Sequence, residues 1–221
     1  DEYAYIYYTS NETINGLQFQ SIPLETRVPL VYDMTSSLMS EPLEINRYGI
    51  IFASAQKNLG QSGITVVIVR DDLVGQAQPI TPAVIDYAQQ IEQNSMLNTP
   101  PTFAWYSCYL MLQWIDSQGG VAAMHKATKA KAERMYACID RHPLYHAVAE
   151  PKSRSLLNMP FRFSEPKLEA EFLAEADQHG LINLKGHRIV GGIRPSVYIG
   201  MPMAGVVHLT EFMDDFAARK G

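Results

Sequence analysis

Four short apolar runs separated by turn-forming residues open the chain, at residues 3–8, 29–33, 49–53 and 65–70. Each has the length of a strand and is expected to be one. The last, Thr65-Val66-Val67-Ile68-Val69-Arg70, is continuously β-branched, the pattern of a strand buried on both faces of an α/β sheet. Residues 71–101 lose this regularity, with a polar stretch at 89–99 and a stop at Pro100-Pro101. The period then changes. Residues 102–117 are apolar nearly all round (Phe103, Trp105, Tyr109, Leu110, Leu112, Trp114), which predicts a core helix ended by Gly119-Gly120. A second helix is expected over 121–141, with Val121, Met124, Thr128, Met135 and Ile139 on one face and Lys126, Lys129, Glu133 and Arg134 on the other. The tail reads strand (156–163), helix (165–179), strand (196–199) and helix (205–220), a small α+β unit. The expected boundary lies near Gly119-Gly120, dividing the chain into residues 1–119 and 120–221.

Composition narrows the function classes. The net charge is −5, from 18 Lys and Arg against 23 Asp and Glu, and no basic block stands ready to neutralise phosphates. Nucleic acid and acidic membranes are therefore not expected partners. No apolar run has membrane-spanning length, and the N-terminus lacks a secretory apolar segment. Cys108 and Cys138 have no metal-site spacing and read as two buried thiols in a reducing cytosol. The six histidines show no metal-ligand spacing such as HExxH, so no metal is expected. The chain opens at Asp1-Glu2 rather than Met and runs straight into an apolar strand, which suggests a fragment or a processed product.

Candidate chemistry concentrates in Ile51-Phe52-Ala53-Ser54-Ala55-Gln56-Lys57-Asn58-Leu59-Gly60. A lysine following an apolar strand, beside small residues and glycine, is an unusual setting for a residue that prefers water. Burial disfavours an ammonium, and a neutral amine can attack an aldehyde. The alternative is that Lys57 starts a surface turn. Asp33 ends the run Pro29-Leu30-Val31-Tyr32 and would point into the crevice where open α/β sheets bind ligands. A carboxylate there suits the pyridine nitrogen of pyridoxal phosphate (PLP). It equally suits a helix N-cap or turn. The pair, each at a strand end, says more than either residue alone.

Four blocks carry a resemblance. They are Asn11-Glu12-Thr13-Ile14-Asn15-Gly16, Ala55-Gln56-Lys57-Asn58-Leu59-Gly60, Asn98-Thr99-Pro100-Pro101-Thr102-Phe103-Ala104-Trp105-Tyr106, and Lys185-Gly186-His187-Arg188-Ile189-Val190-Gly191-Gly192-Ile193-Arg194. In this order they resemble the phosphoserine aminotransferases, in the class V, fold-type I group of PLP enzymes. Gln56 before the lysine and the Asn-Thr-Pro-Pro-Thr run point to that family in particular. A cysteine desulfurase, the rival within class V, would be expected to carry His before the lysine and a reactive Cys on a mobile loop.

The resemblance implies an α/β PLP-dependent transferase fold, with part of a large domain on a mostly parallel sheet and a small C-terminal α+β domain. It implies transamination between glutamate and 3-phosphohydroxypyruvate, giving 2-oxoglutarate and phosphoserine, in serine synthesis and often also vitamin B6 synthesis. Lys57 would be the Schiff-base lysine and shuttle the α-proton. Asp33 would pair with the pyridine nitrogen, Thr13 with the ring's phenolic oxygen, and Gln56 with the cofactor phosphate. Asn98 and Thr99 would reach the phosphate of the other subunit's cofactor in a cytoplasmic homodimer. Arg194 would hold the substrate α-carboxylate, while His187 and Arg188 would recognise its phosphate or side-chain carboxylate across the interface. From the residues alone, Lys185 to Arg188 reads equally as a solvated basic turn.

The resemblance covers the C-terminal part of the family's chain. The family's glycine-rich phosphate loop, its ring-stacking aromatic residue and further basic substrate residues lie in the N-terminal part. The expectation is therefore that residues 1–221 alone do not catalyse transamination. A non-catalytic truncated chain is the alternative function. Two local departures stand out: Pro195 and Ile199 occur where the family carries a small residue and an asparagine. Pro195 fixes the backbone immediately after Arg194.

Overall fold

A computed structural model describes residues 3–21 and 26–221. The first sheet is built from β1 (Ile6–Thr9), β4 (Leu30–Asp33), β5 (Ile50–Ser54) and β6 (Thr65–Val69), in the order β1-β4-β5-β6. Between β1 and β4 lies a short hairpin of β2 (Asn11–Glu12) and β3 (Leu17–Gln18). The β1–β4 and β4–β5 pairs are parallel, and β5–β6 is antiparallel. A mostly parallel sheet was expected. The burial of β6 was not as expected: Thr65 is exposed and residues 66–69 are only half-buried. Among the described residues β6 is the last strand of the sheet and pairs with β5 alone. Its β-branched composition did not translate into two covered faces, since burial depends on the neighbours each face meets. In β4 and β5 the alternation is clean, with Leu30, Tyr32, Ile51 and Ala53 facing one core with Met34, Leu38 and Leu59.

Three helices follow: α1 (Tyr87–Glu92), α2 (Thr102–Ser117) and α3 (Gly120–Arg141). The short α1 falls in the segment that lacked a pattern, and its N-terminus is capped by the Asp86 carboxylate, which accepts from Ala88 N at 3.0 Å. Helix α2 departs from the expected core helix. Only Ala104, Cys108 and Ile115 are buried, while Phe103 is 68% exposed and Tyr106 56%. Apolar character all round a helix records a capacity for burial, and within this chain only one stripe of α2 meets other elements.

The C-terminal sheet comprises β7 (Tyr145–Ala147), β8 (Phe161–Phe163), β9 (Lys185–His187) and β10 (Gly191–Ile193), ordered β7-β8-β10-β9 and antiparallel throughout. Helix α4 (Leu168–Gln178) and helix α5 (Met203–Lys220) complete this part. Its core stacks Phe161, Phe163, Phe172, Phe212 and Phe216, with Phe172 fully buried at centroid distances of 5.0 Å to Phe212 and 5.1 Å to Phe216.

Two expectations fail here. Residues 196–199 form no strand; Ser196 makes a single bridge to Asn158. Pro195 cannot donate to a ladder, and a turn closed by Met201 N to Tyr198 O at 3.0 Å follows at once. Within 156–163 the strand is confined to Phe161–Phe163. The hairpin β9–β10 instead occupies the glycine-rich segment that hid its strand pattern. Gly186 is required there, since a Cβ would lie 1.9 Å from Gly191 O.

Candidate functional site

β4 and β5 are adjacent and parallel, so the segments leaving their C-terminal ends emerge side by side. Asp33 is the last residue of β4, and Lys57 follows β5 by three positions, in a turn over residues 55–59. Hydrogen bonds lace the two segments together. Ser54 N donates to Thr35 Oγ1 at 3.3 Å, and buried Asn58 donates from Nδ2 to Ser36 O at 3.2 Å and Leu38 O at 3.1 Å. Asp33 Oδ1 accepts from Thr35 N at 2.8 Å, so this carboxylate also serves as a turn residue. Among the described residues its Oδ2 meets only the distant Tyr7 hydroxyl, at 3.4 Å. The Lys57 side chain is half-buried, with Nζ 5.7 Å from the centroid of the Tyr198 ring. It lines an open cleft of ≈ 360 Å³ together with Asn58, Gly60, Met111, Ser196 and Tyr198.

The hairpin β2–β3 brings Thr13 to the C-terminal part. Its turn needs Gly16, which has φ +70° and leaves no room for a Cβ beside Pro160 Cδ at 2.3 Å. Buried Asn11 then joins three segments: Nδ2 donates to Ser36 Oγ at 2.9 Å and to Asn158 Oδ1 at 2.8 Å, and Oδ1 accepts from Ser155 Oγ at 2.5 Å. Arg194 Nη1 donates to Thr13 O at 3.3 Å and to Ser196 Oγ at 3.4 Å. Its Nε is buried and finds no partner among the described residues. The segments carrying Lys57, Asp33, Thr13 and Arg194 are thus tied together by hydrogen bonds through Asn58, Thr35, Asn11 and Ser196.

The other expected residues stand apart from it. Gln56 neighbours Lys57 but is exposed. Asn98 lines a different cleft of ≈ 510 Å³, beside Thr65, Val67 and Trp105, and Thr99 next to it is exposed. His187 ends β9, its Nδ1 accepting from Ile189 N at 3.3 Å, and Arg188 is exposed in the following turn. Within this chain neither shares a cleft lining or a hydrogen bond with Lys57.

The sequence profile of the Aminotransferase class-V family matches residues 1–209. The chain belongs to the class-V aminotransferase family. It is 47% identical over all 221 residues to the phosphoserine aminotransferase of Acinetobacter baumannii (strain ACICU), covering 61% of that relative. It superposes with TM-score 0.97 and 41% identity on the solved phosphoserine aminotransferase of Bacillus circulans subsp. alkalophilus, covering 100% of this chain and 62% of that one. A PLP-bound phosphoserine aminotransferase from Trichomonas vaginalis matches with TM-score 0.91 and 40% identity, over 97% of this chain and 61% of that chain. The fold is therefore the α/β fold of PLP-dependent phosphoserine aminotransferases, in part: the chain spans 61% of the length of the curated relative quoted. No helix among the described residues is long and apolar enough to cross a membrane.

In this class-V chain, two contributors to the site carried no signal of their own in the sequence. Asn58 ties the Lys57 turn to the segment after β4, and Tyr198 faces the lysine from the far end of the chain. Neither stands in a periodic pattern, and a hint for Asn58 lies only in its place beside Lys57. A second polar cluster, Cys138, His142 and Asp214, holds three donor atoms within 4.8 Å of one another. Arg141 Nη2 already occupies Asp214 Oδ1 at 2.5 Å, and His142 Nε2 reaches the same oxygen at 2.7 Å. Burial, with the adjacent Asp214 carboxylate, pushes the Cys138 thiol up to about 12. A protonated thiol beside a guanidinium is a poor cation ligand, so this cluster acts as an ion-paired tie between α3 and α5.

Proposed function

We propose that these residues serve a phosphoserine:2-oxoglutarate aminotransferase that holds PLP on Lys57. The observation that carries this reading is the pair Asp33 and Lys57, at the C-terminal ends of adjacent parallel strands in a chain 47% identical to phosphoserine aminotransferases. The donor set fits the group. Lys57 offers an amine in an open cleft, and Asp33 Oδ2 keeps acceptor capacity for a ring N–H because its one contact is long. Arg194 keeps a buried Nε for a carboxylate oxygen while Nη1 is already fixed. When bound, PLP supplies an electron sink that stabilises a carbanion at the substrate α-carbon.

The chain's own residues do the rest. Lys57 anchors the cofactor aldehyde and carries the α-proton from one face. Asp33 keeps the ring nitrogen protonated, and Arg194 orients the substrate carboxylate with a planar fork. Thr13 and Gln56 bond the ring oxygen and the phosphate. His187 and Arg188 read the substrate phosphate, and Asn98 and Thr99 complete a neighbouring subunit's site in a cytoplasmic homodimer. This last assignment accounts for their separation from Lys57. The division near Gly119-Gly120 into a PLP-holding part (residues 1–119) and a small C-terminal part (120–221) belongs to the same reading, as do serine and vitamin B6 synthesis as the pathways served.

Borohydride reduction of the protein incubated with PLP, followed by peptide mass mapping, tests the proposal. The expected result is a pyridoxyl mass on the Lys57 peptide that disappears in Lys57→Ala. Label scattered over exposed lysines, with none concentrated at Lys57, would overturn it.

A further inference from the structure

One stripe of α3 contains Met124, Thr128, Lys131, Met135 and Ile139, all buried, at steps of three and four residues. Four of these suit a core; Lys131 does not. Its residue is only 2% exposed, and fully buried lysines are rare unless an acid pairs with them. Its partners among the described residues are backbone carbonyls. Nζ donates to Tyr198 O at 3.0 Å, Ile199 O at 3.4 Å and Met201 O at 3.0 Å. Burial moves its amine down from the usual lysine range, and three converging carbonyl dipoles oppose that tendency.

The three carbonyls belong to one turn. It is closed by Met201 N to Tyr198 O at 3.0 Å and leads through Pro202 into α5. On its other side, Ile199 N donates to Asn58 Oδ1 at 3.4 Å, directly beside Lys57, and the Tyr198 ring stands 5.7 Å from Lys57 Nζ. The turn is therefore held between α3, through Lys131, and the Lys57 segment, through Asn58. Packing alone does not call for an ammonium at this position; convergent donation to three carbonyls does.

We propose that Lys131 is a positioning residue for the Lys57 site. Its ammonium clamps the 198–201 turn onto α3, and the clamped turn sets the Tyr198 ring against the Lys57 amine. The clamp itself stands on the geometry, while its service to catalysis rests on the function proposed above.

Amide hydrogen exchange, combined with the pH dependence of Lys57 acetylation by acetic anhydride read by peptide mass, tests the clamp on the full chain. Lys131→Met keeps length and removes the donors. It should speed exchange at Ile199 and Met201 by about tenfold or more and displace the Lys57 acetylation profile, with Ile139 and Phe212 within about twofold of wild type. Lys131→Arg, which keeps charge and donors, should lie nearer wild type in both readouts. A purely packing role predicts the reverse order, because methionine fits an apolar stripe and arginine overfills it. Unchanged exchange and acetylation in Lys131→Met, or that reversed order, would overturn the proposal. Should Lys131→Met fail to fold, Lys131→Gln, which loses the charge but keeps two neutral donors, takes its place and should move both readouts in the same direction by less; no movement in either would overturn the proposal. Since neither readout uses PLP, a negative borohydride experiment would remove the proposed function and leave this test standing.

Discussion

Replacing Asn11 by alanine probes the joint that holds the site together. Asn11 is 1% exposed and bonds Ser36, Asn158 and Ser155 through its side chain. After truncation, Ser36 Oγ still donates to Asn11 O at 2.8 Å, which alanine retains. The Ser155 hydroxyl proton and Asn158 Oδ1 have no such substitute. Each buried group left unpaired costs about 1–3 kcal/mol, so the loss lies between about 2 and 6 kcal/mol. Water entering the vacated amide volume offsets part of this, which places the expected loss near about 3 kcal/mol. For a chain whose total stability is of order 5–15 kcal/mol, that is a large fraction. Urea unfolding followed by tryptophan fluorescence, which reports through Trp105 and Trp114, measures it at constant m-value. Thr13→Ala is the control, because Arg194 uses the Thr13 carbonyl rather than its side chain, and it should stay within about 0.5 kcal/mol. A loss below about 1 kcal/mol for Asn11→Ala would show that the joint is solvated and refute the cost assigned to its unpaired groups.

Phe172→Ala removes a fully buried ring from the aromatic stack and should cost about 3–5 kcal/mol by calorimetry, with the β7–β10 sheet losing protection first. Tyr136 and Tyr145 are held above the ordinary 10.0 by burial, and their hydroxyls donate to Ser155 O and Met213 O. The folded form keeps these protons while the unfolded chain releases them, so stability is complete below pH 10 and falls as pH rises beyond it; a Tm flat from pH 8 to 11 would contradict this. Asp214 works at the other end. Burial opposes its ionisation, but bonds from His142, Arg141 and Cys138 outweigh it and leave the carboxyl below 3.8. Stability should therefore drop as pH falls beneath about 4, and Asp214→Asn should flatten that drop. Cys138, at about 12, should resist iodoacetamide at pH 8 in the folded protein and react on unfolding; rapid native labelling would refute its burial.

The placement of Asp33 and Lys57, the centre of the candidate site, was legible because its geometry is local. Short apolar runs ending in Asp33 and shortly before Lys57 placed both residues at strand ends, and parallel pairing of β4 with β5 did the rest. The framework around them was not legible, because its members lie far apart in the chain. Nothing in residues 11–16 announces a contact with Asn158, and nothing near Lys57 announces Tyr198. The misread elements share a cause as well. Apolar content in α2 and β-branching in β6 report what a segment can bury, while actual burial depends on which neighbours face it. In β9–β10 the glycines that permit close backbone approach also erase the strand pattern. Lys131 did leave a trace, as the one charged residue at a stripe position of α3.

The bond between Arg194 and Thr13 spans 181 residues of sequence. A ribosome adding roughly 5–20 residues per second leaves the β2–β3 hairpin waiting roughly 10–40 s for that arginine. Through this interval Asn11 has neither Ser155 nor Asn158 to bond, and the Lys57 cleft lacks the wall that Tyr198 provides. The pocket is thus a late product of synthesis, closed only when the last quarter of the chain folds back onto the first strands.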